Sequence, residues 1–418
     1  MMMANAERYG LIGEKLGHSY SKQIHHALCG YNYELMSIPR DEIEAFLSAR
    51  NFTGLNVTIP YKRTVIPHCD LLTEAAREIG SVNTLVMQSD GRLLGDNTDY
   101  AGFLYLARKV GLSFKGKKVL VFGSGGTSLT VRAAVRHEGA REALVVSRSG
   151  NVNYQNIYDH VDAEILVNTT PVGMFPNNGQ RLVDLERFPK LCGVLDVIYN
   201  PLCTSLLLEA KRLGIPCGGG LSMLVAQAKY AAERFGKVPI SDEQIGIIEQ
   251  KMRKELTNLV LVGMPGSGKT TLAAACAGNM GREVVEIDDL IAQKAGMRIP
   301  EIFSKYGEAH FRALEAETMA EVGRRTGLVI STGGGAVLRE QNVAAMRQNG
   351  LVVCLERPLE LLSTDGRPLS KGIDALRIMQ AQRGPIYKKS SDLTVANSRG
   401  IEQAQRSIME GFYEALSH

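Results

Sequence analysis

Two segments of this 418-residue chain follow one plan, in which an apolar run leads directly into a glycine-rich turn and then a helix-like stretch. The first segment reads KKVLVFGSGGTSLTVRAAVR (117–136), and the second reads TNLVLVGMPGSGKTTLAAACA (257–277). Each pattern is typical of the strand, turn and helix that open an α/β unit. Beyond this plan the two segments differ, so they predict two nucleotide-binding modules of different type and no internal repeat.

The rest of the chain predicts how these modules are arranged in domains. About 100 residues before the first turn carry their own alternation of strands and helices. We therefore expect an α/β substrate domain at residues 1–101 and 221–250, and a Rossmann-like domain at residues 102–220. A P-loop domain with a parallel sheet is expected at residues 255–418. Because no Gly/Ser linker separates the halves, the junction is predicted to be short and helical.

Composition excludes several function classes. Lys and Arg total 48 against 44 Asp and Glu, and a formal charge of +4 is too balanced for a nucleic-acid or polybasic membrane partner. The start, MMMANAERYG, has no apolar signal region, and no apolar run approaches the ~18 residues that span a bilayer. The seven cysteines lack CxxC or zinc spacing. We therefore expect a cytoplasmic protein with reduced thiols.

The first glycine turn predicts a dinucleotide site. Gly123, Gly125 and Gly126 follow an apolar strand, where such a turn lets pyrophosphate approach backbone N–H groups. Taken alone, the motif is about as consistent with a turn that binds nothing, and Ser128 replaces its third glycine. The next strand ends in Arg148, where an NAD site would want an acid. A guanidinium can hold a 2′-phosphate, which favours NADP. The alternative is that Arg148 is a solvated surface arginine that contacts no ligand.

Polar segments in the N-terminal domain predict a small polyhydroxylated acid as substrate. The segments are GHSYSK (17–22), NVTIPYK (56–62), VNT (82–84) and GDNTD (95–99). At the end of an apolar strand, Lys62 could share protons with Asp99 and a reacting hydroxyl, although a lone lysine there is usually a solvated charge. The hydroxyls, amides and carboxylate come from Ser19, Ser21, Asn56, Thr58, Asn83 and Asp99.

With these motifs, NTTPVGM (168–174) and GLSMLVAQ (220–227), the first half resembles shikimate dehydrogenase over nearly its whole length. The resemblance implies that NADPH reduces 3-dehydroshikimate to shikimate, with Lys62 and Asp99 as the acid/base pair. Relatives often carry a second arginine soon after the first, where this chain reads GNVNY. A weaker preference for NADP over NAD is therefore expected. The implied substrate contacts are Ser19, Ser21, Asn56, Thr58, Asn83, Asp99, Tyr199 and Gln227. The implied cofactor contacts are Gly123, Ser124, Gly125, Gly126, Thr127, Arg148, Asn168, Thr169 and Met174.

The second turn satisfies the P-loop pattern GxxxxGK[ST] from Gly263 to Thr270, directly after a strand and before a helix. Its backbone N–H groups and Lys269 can neutralise phosphates, and the Thr270 hydroxyl can ligate Mg²⁺. Further motifs follow: EIDDL (286–290), GEAHFRALE (307–315), STGGGAV (331–337), GRPLS (366–370) and QRGPIY (382–387). Three arginines and a glycine triplet near a carboxylate predict a small anionic alcohol as the phosphate acceptor. Each arginine alone would more often be a surface charge.

Residues 257–418 resemble shikimate kinase, with that family's spacing from Lys269 to the later motifs. The resemblance implies that MgATP phosphorylates shikimate to shikimate 3-phosphate, with Asp288 receiving the 3-hydroxyl. Lys269 and Arg367 would meet the transferring phosphate. The implied acceptor contacts are Asp288, Arg312, Gly334, Arg383, Phe303 and Phe311. The implied nucleotide contacts are Gly263, Gly266, Ser267, Gly268, Lys269, Thr270, Thr271 and Arg367, and the implied magnesium ligands are Thr270 and Glu286.

Two departures from the kinase pattern keep alternatives open. Glu286 stands where the family usually has an aspartate, and the lid between Glu356 and Arg367 is short, with no second lid arginine identified before Asp365. One alternative is a kinase-like regulatory module that binds nucleotide without turnover. Another is a dehydrogenase half that prefers quinate and NAD. The favoured prediction is a bifunctional enzyme of chorismate and aromatic amino acid biosynthesis. Its partners would be small molecules, with homo-oligomerisation left open.

Overall fold

The computed structural model describes residues 7–17, 19–362 and 373–417. The chain forms two compact units, of which the first extends to Asn200 and includes Thr204–Glu249. The second consists of Pro201–Cys203 and the chain from Gln250 onward. Both units are α/β, which confirms the predicted fold class. The boundaries predicted between two domains within the first unit stay a prediction.

The first unit contains a mixed sheet and a parallel sheet. The mixed sheet has the strands β1 (Tyr9–Gly13), β2 (Tyr33–Ser37), β3 (Gly54–Val57), β4 (Leu71–Leu72), β5 (Thr84–Met87) and β6 (Leu93–Asp96). Its helices are α1 (Ser21–Cys29), α2 (Ile43–Ala49), α3 (Glu74–Ile79) and α4 (Thr98–Lys109). The strand order is β2-β1-β3-β5-β6-β4. β1 pairs in parallel with β2 and β3, whereas β5 pairs antiparallel with β3 and β6.

The parallel sheet of the first unit follows in the chain. Its strands are β7 (Lys118–Phe122), β8 (Glu142–Val146), β9 (Ile165–Asn168), β10 (Gly193–Asp196) and β11 (Cys217–Gly218). The helices here are α5 (Gly126–His137), α6 (Ser205–Arg212) and α7 (Gly220–Gly236). The helix α8 (Glu243–Leu256) begins in the first unit and continues into the second at Gln250. The strand order β11-β10-β9-β7-β8 reverses direction between β7 and β9. Open parallel sheets bind ligands outside the carboxyl ends of their strands at such a reversal.

The second unit is built on a five-stranded parallel sheet. Its strands are β12 (Asn258–Gly263), β13 (Val284–Glu286), β14 (Val329–Ser331), β15 (Gly350–Glu356) and β16 (Leu393–Ala396). Its helices are α9 (Lys269–Met280), α10 (Ile287–Ala295), α11 (Ile299–Val322), α12 (Glu340–Asn349), α13 (Ile373–Ser390) and α14 (Ile401–Ala415). The strand order is β13-β14-β12-β15-β16. Short 3₁₀ helices in the two units span Ile66–His68, Ile157–His160, Leu185–Arg187, Ala336–Leu338 and Leu359–Leu361.

The central strand β12 explains why its sequence is continuously apolar. Val260 and Val262 pack into the core on one face of the sheet, with residues of α10 and α11. Leu259 and Leu261 pack into the core on the other face, with residues of α9 and α14. A parallel strand that is covered on both faces buries every side chain, so the run NLVLV shows no alternation.

Close packing of α4 against α7 positions the first functional site. A Cβ added to Gly102 in α4 would lie 2.9 Å from the Met223 carbonyl oxygen and 3.0 Å from Gln227 Cβ. Only glycine therefore lets the two helices approach this closely. Because Asp99 lies one turn before Gly102, the packing holds the start of α4 beside the part of α7 that carries Gln227.

Two expectations about the chain's surroundings can be compared with the fold. All seven cysteines are free thiols in the structure, as the sequence predicted. Within the described ranges, none of the helices combines the length and the apolar character that a bilayer crossing requires.

Gly220 offers a test of how tightly α7 is seated. A Cβ at Gly220 would lie 2.0 Å from the Val197 carbonyl oxygen, whereas a Cβ at Gly236, in the same helix, would meet no atom within 4 Å. We expect Gly220→Ala to lower the free energy of unfolding by about 1–3 kcal/mol, the usual cost of overpacking. Gly236→Ala should leave it unchanged or slightly higher. Urea denaturation followed by circular dichroism compares them, and equal effects would contradict the packing described.

Candidate active sites

Lys62 and Asp99 form a close and mostly buried ion pair in the first unit. Lys62 Nζ lies 2.6 Å from Asp99 Oδ2, and the two side chains are only 15% and 10% exposed. Lys62 lies in the turn after β3, and Asp99 lies in the first turn of α4. The structure therefore brings together the two residues that were predicted to act as an acid/base pair. An ammonium that a carboxylate holds in place can donate a proton to a neighbouring substrate oxygen.

The start of α4 is held by Asn83 and Asp96. Asn83 Oδ1 accepts hydrogen bonds from the Thr98 backbone N–H at 2.7 Å and from the Thr98 hydroxyl at 3.2 Å. These bonds satisfy a helix N–H group, while Asn97 makes no side-chain cap. Asp96 accepts from the Asn97 backbone N–H at 2.7 Å and pairs with Arg234. Asn83 was predicted only as a substrate contact, so its support of the helix that carries Asp99 is a role the sequence did not reveal.

A buried polar network continues from Asn83 toward β2. The Tyr33 hydroxyl donates to Asn56 Oδ1 at 2.7 Å, and Asn56 Nδ2 donates to Thr84 Oγ1 at 3.2 Å. The Thr84 hydroxyl in turn lies 3.0 Å from Asn83 Oδ1. This chain of contacts fixes the orientation of the Asn56 amide. Tyr33 was missed by sequence reasoning, because nothing in its apolar segment marks it as polar support.

The other predicted substrate residues lie on neighbouring elements. Ser19 and Ser21 hydrogen-bond to each other at 3.1 Å where α1 begins. Gln227 is buried in α7 and donates to the Leu224 carbonyl at 2.9 Å. Thr58 follows β3 and Tyr199 follows β10, and both are half-buried. Among the described residues, the structure does not bring these five side chains into hydrogen-bond contact with the Asn56–Asn83 network.

The first glycine turn leaves room for a ligand next to Lys62. Gly123 has a φ of +107°, which a residue with a side chain rarely adopts. Gly125 precedes α5, and a Cβ placed there would meet no atom within 4 Å. A Cβ at Gly126 would lie 3.6 Å from Lys62 Cδ, so the turn lies beside the ion pair. These features fit a dinucleotide whose pyrophosphate approaches the N-terminus of α5. Ser124 is exposed and Thr127 is half-buried on the same turn.

The loop after β8 presents an arginine to solvent. Arg148 is exposed, and the loop closes where the Ser147 N–H donates to the Val152 carbonyl at 3.1 Å. Tyr154 follows in this loop, where burial raises its pKa and Arg148 opposes the rise. No second basic residue stands between Arg148 and Tyr154. The placement fits recognition of a 2′-phosphate by a single guanidinium.

Asn168 is fully buried beneath the loop after β9. Its Nδ2 donates to Asp196 Oδ1 at 3.0 Å and to the Val172 carbonyl at 3.2 Å, and its Oδ1 accepts from the Thr170 N–H. The structure therefore assigns the side chain predicted as a cofactor contact to the support of this loop. Within the same loop, Thr169 is half-buried and Met174 is exposed, so both remain accessible to a ligand.

The second unit contains a cleft of about 360 Å³ above its parallel sheet. Most residues predicted for the kinase site line it: Gly266, Gly268, Lys269, Thr270, Thr271, Glu286, Asp288, Phe303, Phe311, Arg312, Gly334 and Arg383. Gly263 ends β12, and Ser267 is fully buried beneath the loop. Arg367 lies outside the described residues. Arg357 and Glu315 also line the cleft and were missed, although Arg357 stands in the segment searched for a lid arginine.

The phosphate loop at one end of this cleft needs its glycines. Gly263, Gly266 and Gly268 have φ angles of +145°, +83° and +93°. Lys269 Nζ donates to the carbonyls of Gly263 at 2.9 Å and Met264 at 3.0 Å, so the lysine lies over its own loop. This geometry fits the binding of nucleotide phosphates by the loop amides and the ammonium.

Oxygen donors at the edge of the loop fit Mg²⁺. The Thr270 hydroxyl lies 3.4 Å from Glu286 Oε2. Burial raises the pKa of Glu286, and Asp289 and Asp288 add to the rise, whereas the hydroxyls of Ser331 and Thr270 oppose it. A divalent cation would stabilise the ionised carboxylate, and hydroxyl and carboxylate oxygens are the ligands that Mg²⁺ prefers. The Glu286 carboxylate therefore lies 3.4 Å from the hydroxyl of Thr270, the other predicted magnesium ligand.

Arginines and glycines form the other end of the cleft. Arg312 donates to both oxygens of buried Glu315 at 2.9 and 3.0 Å. Arg383 donates to the Gly334 carbonyl at 3.1 Å, and the Tyr387 hydroxyl donates to the same oxygen. The rings of Phe303 and Phe311 lie beside them with centroids 4.7 Å apart. Two guanidinium groups next to an aromatic wall suit a small carboxylate that carries an apolar ring.

Comparison with known proteins finds a matching family in each of two parts of the chain. Residues 11–85 match the family model of the shikimate dehydrogenase substrate binding domain, and residues 265–415 match that of shikimate kinase. The chain is 34% identical over 253 residues to shikimate dehydrogenase (NADP(+)) of Clostridium perfringens (strain SM101 / Type A), covering 56% of this chain and 93% of that relative.

Two solved structures are similar to the first unit. Shikimate 5-dehydrogenase from Thermus thermophilus, in complex with NADP(H) and shikimate, is 29% identical with a TM-score of 0.52. The similarity covers 59% of this chain and 99% of that one. Quinate dehydrogenase from Corynebacterium glutamicum, in complex with NAD, is 28% identical with a TM-score of 0.53. This similarity covers 59% of this chain and 98% of the quinate dehydrogenase chain.

Asp196 predicts a pH-dependent stability. The carboxylate accepts bonds from Thr204, Ile198 and Asn168, but burial outweighs them and raises its pKa to about 6. Since an unfolded aspartate has a pKa of ~3.9, the neutral carboxyl stabilises the fold by up to roughly 3 kcal/mol. That stability is complete below about pH 4 and is lost as the pH rises through about 6. Asp196→Asn stays neutral, so this part of the pH dependence should vanish.

Urea denaturation at a series of pH values from about 4 to about 8 measures the difference between the two proteins. The gap in unfolding free energy between wild type and Asp196→Asn should change across this range and level off above about pH 7. A gap that stays constant at every pH would show that Asp196 is ionised throughout.

Proposed function

This chain belongs to the shikimate dehydrogenase family and carries a shikimate kinase domain, and from this premise we propose which residues catalyse its two reactions. As a bifunctional enzyme of the shikimate pathway, it would reduce 3-dehydroshikimate with NADPH and phosphorylate shikimate with MgATP. The main support for these roles is the buried Lys62–Asp99 pair, which lies beside Gly126 of the glycine turn. This placement puts a proton donor next to the position where a dinucleotide would bind.

In the reduction, bound NADPH supplies a hydride to the ring carbonyl carbon. Lys62 Nζ donates the balancing proton to the carbonyl oxygen as that oxygen becomes a hydroxyl. Asp99 keeps the ammonium at the reacting oxygen, 2.6 Å from its own Oδ2. The bonds of Asn83 to Thr98 hold Asp99 in turn, because they fix the first turn of α4.

In the phosphorylation, bound MgATP supplies the transferring phosphoryl group. The loop amides, Lys269 and Thr270 would hold the phosphates, and Thr270 with Glu286 would hold the metal ion. Asp288 would accept the proton from the acceptor hydroxyl, while Arg312 and Arg383 bind the acceptor carboxylate. Because the cleft contains a base, phosphate-binding groups and arginines together, it supports turnover over nucleotide binding alone.

One further candidate is a dehydrogenase that uses quinate and NAD. The similarity to the quinate dehydrogenase in complex with NAD favours it, as does the lack of a second basic residue between Arg148 and Tyr154. Initial rates with shikimate and quinate, each with NADP and with NAD, decide between the two. The proposed function expects shikimate with NADP to give the highest kcat/KM.

We infer that the partners of the chain are small molecules and that it acts in the cytoplasm. Its two substrates are small anions, and both cofactors that the sites fit, NADPH and MgATP, are supplied in that compartment. Fractionation of cells followed by assay of both activities tests this inference, and activity confined to a membrane fraction would contradict it.

The roles of Lys62 and Asp99 can be tested in the intact chain. Lys62→Ala and Asp99→Asn should each lower the dehydrogenase kcat by roughly 10²–10⁴, the usual contribution of a general acid or base. ADP release with shikimate should be unchanged in both variants, and Asp288→Asn should show the reverse pattern. Spectrophotometric assays of both activities on each protein measure this. Parallel loss of both activities would indicate unfolding, and retained dehydrogenase activity would remove the assigned role.

Arg148 can be tested through cofactor preference. Loss of a charged hydrogen bond to a 2′-phosphate should raise the KM for NADP about tenfold in Arg148→Ala, with little change for NAD. Arg136→Ala is the matched control, because Arg136 is an exposed arginine at the far end of α5. Equal effects on the two cofactors, or equal effects of the two variants, would show that Arg148 does not contact the phosphate.

A further inference from the structure

We propose that Glu308 occupies the edge of Arg312 that the acceptor carboxylate must use, and thereby lowers the affinity of the kinase site for its acceptor. The proposal rests on the proposed function, in which Arg312 binds the carboxylate of shikimate. It adds a residue that sets affinity by competing with the substrate.

The hydrogen bonds of Arg312 show why the two carboxylates compete. A guanidinium has five N–H donors, and it holds a carboxylate best with two neighbouring ones. Arg312 Nη1 donates to both oxygens of Glu315 at 2.9 and 3.0 Å. Arg312 Nε and Nη2 both donate to Glu308 Oε1, at 3.3 and 3.2 Å. Every pair of neighbouring nitrogens on the guanidinium therefore already contacts a glutamate, so a substrate carboxylate gains a free pair only if one glutamate leaves.

Burial decides which of the two glutamates can leave. The Glu315 side chain is fully buried, whereas the Glu308 side chain is 54% exposed. Separating Glu315 from Arg312 would leave a buried charge without its partner, which is costly. Glu308 can instead turn into water, where its carboxylate is well solvated. The Nε and Nη2 edge is therefore the one that becomes available.

The backbone next to Glu308 also favours this exchange. Gly307 interrupts α11 with a φ of +81° and a ψ of 171°, and a Cβ there would meet no atom within 4 Å. Glu308 is the first residue after this kink, and its side chain is free of the packing that fixes Phe311 and Arg312. Both of those residues are buried in the cleft wall. Arg312 can thus stay in place while its outer partner is exchanged.

The exchange makes a quantitative prediction. A site that is available only when Glu308 has left binds its ligand more weakly by the fraction of time that it is open. Because exposed ion pairs of this spacing are weak, we expect Glu308 to weaken acceptor binding only about two- to fivefold. Removing the Glu308 charge should therefore strengthen acceptor binding, whereas removal of a residue that merely supports Arg312 would weaken it.

The test compares Glu308→Gln with Glu317→Gln in the full chain. Glu317 is an exposed glutamate on the same helix and is not among the described hydrogen-bond partners of Arg312, so its variant makes the same change in net charge without touching that arginine. In ADP-release assays at low ionic strength, Glu308→Gln should lower the KM for shikimate about two- to fivefold, with kcat within about twofold. Glu317→Gln should change neither. The gain should be absent with the methyl ester of shikimate, which lacks the carboxylate.

The dehydrogenase site of the same molecule is an internal control, since its KM for shikimate should be equal in all three proteins. An unchanged or higher kinase KM in Glu308→Gln, or an equal gain with the methyl ester, would overturn the proposal. A calorimetric titration with shikimate gives the same comparison without turnover. Of the two shikimate-binding events, the one at the kinase site should be tighter in Glu308→Gln than in wild type. If wild type releases no ADP, the proposed function fails, while this titration still decides the role of Glu308.

Discussion

Both units depend on one constraint, which is that an interior parallel strand must end in backbone that only glycine supplies readily. At Gly123 and Gly263 the chain turns with φ angles of +107° and +145° and then enters a helix. The first N–H groups of α5 and α9 therefore lack partners within the helix and are directed out of the sheet. An anion bound there is stabilised by the helix N-terminus. The other residues of each site are arranged around this fixed point.

The two sites differ in the groups that surround the turn. In the first unit, the Lys62–Asp99 ion pair lies at the first turn of α4, which Asn83 holds, and one buried network joins Tyr33, Asn56 and Asn83. Such a site can orient a polyhydroxylated ring and protonate one oxygen. In the second unit, Lys269, Arg312 and Arg383 line one cleft together with Asp288. These cations suit a reaction in which a highly charged phosphoryl group moves to an anionic acceptor.

Much of this could be predicted from sequence, because the decisive features are local. The P-loop is one continuous segment whose glycines, lysine and threonine follow from the backbone it must form. The contact of Lys62 with Asp99 joins residues far apart in the chain. The placement of Lys62 at a strand end suggested that the two could share protons, and the resemblance to a known family implied that they form the acid/base pair. Gly102, one turn after Asp99, lies where α4 and α7 approach each other closely, and no sequence pattern announced this packing.

Other features depend on tertiary contacts that sequence patterns do not specify. Asn168 stands in a motif that suggests ligand contact, yet burial under its own loop commits its amide to Asp196 and Val172. Arg357 lines the kinase cleft, but beside Pro358 it reads as an ordinary charge after a strand. Arg312 shares its hydrogen-bond donors between buried Glu315 and exposed Glu308. Which of the two glutamates is buried follows only from the packing of α11.

One cyclohexene acid links the two sites, because the first makes it and the second phosphorylates it. Mass spectrometry of a reaction that contains the purified chain, 3-dehydroshikimate, NADPH and MgATP follows both steps at once. We expect shikimate 3-phosphate as the final product, with equal molar amounts of NADPH and ATP consumed. NADPH consumption that leaves shikimate unphosphorylated, or no conversion of 3-dehydroshikimate, would contradict it.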